Sequence, residues 1–130
     1  MNLTNLQAAN LYAALAKIGP DNKDVKLVPD VWIKIAINKN KLGPLVADFE
    51  ALRMRVFADA VKPRDGEKVG AAELEARGTT AVTDLGKTPM TTGKLRKVMQ
   101  AELQLDKNPV ICALLAELMP IIDDIDMGED

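Results

Sequence analysis

Apolar residues recur at helical spacing along most of this chain, and the longest such run lies between Val28 and Val61. Val31, Ile35, Asn38, Leu42, Leu45, Phe49, Leu52 and Val56 follow one another three or four positions apart. That period places side chains on one face of an α-helix. About 33 residues at 1.5 Å each predict a rod of roughly 50 Å. This is longer than a compact domain of this size is wide, so part of the rod is expected to pack against a partner. Gly43-Pro44 falls inside the run. An interior proline removes one hydrogen bond and clashes with the carbonyl four residues back, at a cost of about 3 kcal/mol unless the helix bends. The stripe stays in phase from Leu42 to Leu45 and Phe49, which predicts a kink; a clean break near Gly43 is the alternative.

The flanking segments are shorter. Thr4 and Gln7 have the spacing of a capping box, Leu3 is placed to staple against Ala8, and Leu11, Leu15 and Ile18 form a stripe with Tyr12 beside it. Gly19-Pro20 is a stop signal, residues 20–27 read as a polar turn, and Pro29 suits the first turn of the long helix. Lys62 to Pro89 is broken by Pro63, Gly66, Gly70, Gly78 and Gly86, with Ala71 to Arg77 as its only helix-like piece. It is expected to be a partly ordered excursion or a mobile loop, the most mobile surface of the chain and a second contact region. Leu95, Val98, Met99 and Glu102 predict a helix over Lys94 to Leu103, and Leu103-Gln104-Leu105 a very short strand. Asn108-Pro109 signals a cap and first turn, followed by a buried apolar helix from Val110 to Met119 that Pro120 ends. The expected architecture is a single all-α domain over residues 1–130. It comprises a short N-terminal helix, a long kinked helix, the 62–89 excursion, two C-terminal helices with room for a minor hairpin, and an acidic tail over 122–130.

Composition narrows the function. Trp32, Tyr12, Phe49 and Phe57 are the only aromatic residues, so the core is aliphatic, which favours helix-on-helix packing. Histidine is absent and Cys112 is the single cysteine, which removes the usual catalytic triads, Cys/His zinc sites and any internal disulfide. Within its apolar run Cys112 reads as a small buried hydrophobe. A net charge of −2 disfavours a dedicated nucleic-acid binder. Neither a membrane span nor a signal peptide is expected.

Four groups of residues bear chemistry. Asn38 interrupts the apolar stripe, where an unpaired amide costs about 1–3 kcal/mol. It either hydrogen-bonds across a helix pair or contacts a ligand or partner. Glu50 and Arg53 share a helical face beside Phe49, as a surface ion pair or a recognition element. The cations Lys34, Lys39, Lys41, Arg53, Arg55, Lys94, Arg96 and Lys97 would converge if the long helix met the helix beginning near Thr92. They form either a solvated face or an anion site, with Lys34, Lys41 and Arg96 as its members. Asp123, Asp124 and Asp126 lack the pattern of a calcium loop, so no metal site is assigned. No catalytic residue and no cofactor is assigned either.

The residues Asn38, Leu42, Pro44, Val46, Phe49, Glu50 and Arg53 resemble a group of small bacteriophage proteins. These open with a short Leu/Tyr-containing helix, here Leu11-Tyr12-Ala13-Ala14-Leu15. They continue with a long helix bearing an Asn, a Leu-x-Pro step and a Phe-Glu-x-x-Arg segment, and close with a piece that looks like Leu95 to Leu105. The likeness spans about half the residues and fails across Lys62–Pro89 and the last helix. It implies a phage origin and carries no catalytic residue over. The reading is a non-enzymatic phage accessory protein, in the host cytoplasm or the virion, acting in particle assembly or as a virion component. It would form a homo-oligomer and contact other phage or host proteins through an interface set by Asn38, Phe49, Glu50 and Arg53. The alternative is an inhibitor of host defence that sequesters a small nucleotide-like anion or blocks a host protein.

Overall fold

In the computed structural model, which describes residues 3–19 and 23–122, the chain is all-α. Helix α1 spans Asn5–Lys17, α2 Pro29–Ala60 and α3 Ala71–Lys87, with two single-turn helices, α4 (Pro109–Ala113) and α5 (Leu115–Leu118), near the end. Helices α1, α2 and α3 pack against one another pairwise, and α5 closes over α1.

Local chemistry fixes the start of α1. Gln7 N–H donates to Thr4 Oγ1 at 3.1 Å while Thr4 N–H donates to Gln7 Oε1 at 2.9 Å, so each side chain satisfies an amide the helix leaves open. Ala8, Leu11, Ala14, Leu15 and Ile18 are buried beneath it. Its first turn is also stitched to the end of α3: Asn5 N–H donates to the Thr88 carbonyl at 2.8 Å and Asn5 Nδ2 to the Leu85 carbonyl at 2.9 Å.

Helix α2 begins with Pro29 in its first turn and runs through Gly43-Pro44 without a break, 32 residues in all. Val31, Ile35, Asn38, Leu42, Val46 and Phe49 are its buried positions. Tyr12 of α1 packs beside Gly43, its ring 3.6 Å from where a β-carbon would stand.

Five expectations are corrected. The 62–89 excursion is mostly helix: α3 extends ten residues beyond Arg77, to Lys87. Gly78 and Gly86 do not break it, because they are the positions where it meets its neighbours. A β-carbon on Gly78 would stand 2.5 Å from the Phe57 ring, and one on Gly86 3.4 Å from Leu6 Cβ. The predicted helix over Lys94–Leu103 is absent. Residues 88–99 form an extended strap, followed by one 3₁₀ turn at Gln100–Leu103. Leu103-Gln104-Leu105 is not a strand, since Gln104 adopts the left-handed conformation with φ 47°. The last apolar helix is divided at Leu114, and Pro120 lies within a 3₁₀ turn at Met119–Ile121. One turn buries only one side, which Ile111 occupies, so Cys112 is exposed. The proposed Asp123, Asp124 and Asp126 group and residues 20–22 of the polar turn lie outside the described residues.

The strap is extended because its backbone partners are distant in sequence. Met90 N–H donates to the Leu3 carbonyl and Val98 N–H to the Ile121 carbonyl, both at 2.8 Å. Gly93, at φ 72°, bends it between these anchors.

Candidate functional site

Asn38 sits in the middle of the strap's path, wholly buried. Its Nδ2 donates to the Arg96 carbonyl at 3.0 Å, and Arg96 N–H donates to its Oδ1 at 2.7 Å. The amide thus replaces a neighbouring strand for one residue, Arg96, with one donor and one acceptor engaged inside the molecule. A second clasp was not legible as one. Asn108 Nδ2 donates to the carbonyls of Lys26 and Leu103 at 2.9 Å and of Gln104 at 3.1 Å, and its Oδ1 accepts from Lys26 N–H at 2.6 Å. Asn108 stands at the N-cap position of α4 with Pro109 in the first turn, as Asn-Pro predicts, but its side chain makes no capping hydrogen bond and instead ties residues 26 and 103–104 together.

The strap brings four cations to one side of the molecule. Lys41, Lys94, Arg96 and Lys97 line a groove of about 420 Å³, with Leu95 as the other lining residue. Lys41 Nζ donates to the Lys94 carbonyl, and Lys97 Nζ donates to the Pro120 carbonyl at 2.5 Å. Of the sequence-predicted anion-site residues, Lys41 and Arg96 therefore meet, through an extended backbone where a helix was expected. Lys34 does not line the groove and stands 4.0 Å from Glu102.

The other sequence-predicted segment divides at Phe49, which is buried in the core. Beyond it no residue of α2 is buried. Arg53 donates to Glu50 and lies 5.6 Å over the Phe49 ring, both side chains of the ion pair being about 40% exposed. Of the four predicted interface residues, Asn38 and Phe49 are thus enclosed and Glu50 and Arg53 reach the surface. The accessible apolar residues are Leu52, Met54 and Phe57, exposed at 44%, 73% and 36%. Met54 and Phe57, with Arg53 and with Val82 of α3, line an open recess of about 360 Å³. A 3.6-residue period locates such positions but does not tell core from surface.

At the far end of this outer arm, Glu67 closes the α2–α3 connection. It accepts from Arg77 through both carboxylate oxygens, one contact at 2.8 Å, and from Arg64 N–H at 2.9 Å. The Arg77 guanidinium and then the Arg64 amide hold the Glu67 carboxyl down at about 2, well below the usual carboxylate range. Gly66, at φ 75°, makes the turn that permits this. No helix among the described residues is long and apolar enough to cross a membrane. No family model, no curated protein and no solved structure matches this chain, which leaves the chemistry of these sites as the ground for a functional reading.

Proposed function

We propose that this chain is a non-enzymatic phage accessory protein that works through helix-mediated contacts, in particle assembly or as a virion component, and associates with itself. The observation that carries the reading is the outer arm, where Met54 and Phe57 present apolar surface beside Val82 and Leu52 is exposed as well. An apolar recess edged by a charged side chain, here Arg53, is the usual composition of a protein contact. The resemblance to small phage proteins supplies the biological setting. Asn38 and Phe49 support the contact from within, by holding the strap and the base of the arm.

Light scattering over about 5–500 μM protein tests association by mass action. The wild type is expected to form a defined oligomer. Met54→Glu places a charge in the contact while leaving the monomer's fold intact, and is expected to yield a monomer with the same melting temperature. A wild type that stays monomeric throughout and captures no virion protein overturns the proposal. The cationic groove favours a second reading, an inhibitor of host defence that sequesters a small anion.

A further inference from the structure

We propose that the groove between α2 and the strap binds small multivalent phosphate anions through their phosphates alone, without reading a base. This rests on the second functional reading and names its ligand class. Three features carry it.

Two of the cations are already held in place. Lys41 Nζ is tethered to the Lys94 carbonyl and Lys97 Nζ to the Pro120 carbonyl. Each ammonium has three donors, so each keeps two for a ligand. Arg96 is the residue whose N–H and C=O are both held by Asn38, so the root of its side chain is fixed as well. Fixed donors lose less entropy on binding than mobile ones.

The groove also gathers like charges. Among the described residues no carboxylate lines it, although the whole chain carries more acidic than basic residues. Glu102, on the adjoining turn, is engaged by Lys34 and by Met99 N–H at 2.8 Å. Four converging cations repel one another, and a trivalent or tetravalent anion relieves more of that repulsion than a monovalent one.

The lining excludes base recognition. A volume of about 420 Å³ accommodates a small ligand, but among the described residues Leu95 is the only apolar side chain lining it and no aromatic ring is there on which a base would stack.

Calorimetric titration with tripolyphosphate, ATP, GTP and inorganic phosphate tests this on the full chain, with Lys94→Gln/Arg96→Gln as the variant and Lys107→Gln as the control. The Asn38 clasp engages the Arg96 backbone, so the variant retains it, and an unchanged melting curve verifies the fold. Tripolyphosphate, ATP and GTP are expected to bind within about threefold of one another, inorganic phosphate more weakly, and the double variant about tenfold or more weakly than wild type. ATP binding without tripolyphosphate binding means that a base is read, which overturns the inference and leaves the sequestration reading standing. Binding that the double variant does not weaken places the site elsewhere and overturns the inference. No binding by any of the four overturns both.

Discussion

The two halves of α2 share one apolar period and have opposite fates. From Val31 to Phe49 the stripe is core, covered by α1 and crossed by the strap. From Leu52 onward the same spacing leads to side chains that stay in solvent, with only α3 alongside. The difference lies in what each half packs against. The inner half meets large aliphatic residues and carries the Asn38 clasp on the strap. The outer half meets a helix whose only buried residues are Gly78 and Gly86, so it gains close backbone approach and little apolar burial. Stability should therefore concentrate in the inner half and association in the outer, and the arm is expected to open more readily than the core. Hydrogen exchange reads this directly: inner α2 amides should exchange only with global unfolding, outer ones through smaller openings.

The largest effects should come from the clasps. Asn108→Ala leaves one buried N–H and weakens three carbonyls, at an expected cost of about 3–5 kcal/mol by denaturant titration. Asn38→Leu leaves the Arg96 peptide unpaired and should cost about 2–3 kcal/mol. Both should lower protection throughout the inner half. Loss of protection confined to the outer arm in either variant would break the comparison.

Next is Gly78→Ala. Alanine favours a helix interior by about 1 kcal/mol over glycine. Against that, the new β-carbon would lie 2.5 and 2.6 Å from two carbons of the Phe57 ring and 2.8 Å from Val61 Cγ1. Such overpacking costs about 1–3 kcal/mol, so a net loss near 1 kcal/mol is expected. It should appear in the arm's amides and disappear in the Gly78→Ala/Phe57→Ala double variant relative to Phe57→Ala alone. Gly70→Ala, where nothing stands within 4 Å, is the control.

How far these features are legible in the sequence follows the same division between local and distant causes. The capping box at Thr4 and Gln7 and the passage of α2 through Pro44 rest on local spacing, and the spacing sufficed; which stripe positions are buried did not follow from it, since Val46 is buried and Leu45 only half-buried. Helix α3 did not read as a helix beyond Arg77 because Gly78 and Gly86 look like breakers until the Phe57 ring and Leu6 are seen against them. The strap misled in the opposite direction. Leu95, Val98 and Met99 carry a helical period, while the groups that hold the backbone extended, Asn38 and Ile121, lie more than twenty residues away. Asn38 was recognisable as a polar residue in an apolar stripe, but its partner was not. Asn108 was hidden because Asn-Pro has a commoner local meaning. The cationic groove was half legible: its residue types were evident, and the extended backbone that gathers them was not.

The smallest effect, confined to the arm, is set by pH. Glu67 titrates at about 2 in the folded protein, below the ordinary 4.5, because Arg77 and the Arg64 amide favour its charged form. A carboxyl with a lowered folded-state pKa contributes stability that is fully present above its unfolded value and is lost as pH falls through the folded one. Between pH 4.5 and about 2, then, the tie between the α2–α3 turn and α3 should weaken. Glu67 and Arg77 are both partly exposed, so salt screens the pair and the change should be modest. Protection of the amides at residues 64–70, taken relative to the intrinsic exchange rate at each pH, should fall over that interval, while the amides around Leu11 and Leu42 show no matching step. Glu67→Gln should exchange quickly there at neutral pH and lose the step. A step of equal size in the inner half would mean that arm and core open as one unit, and the contrast between the two halves of α2 would then be one of exposure alone.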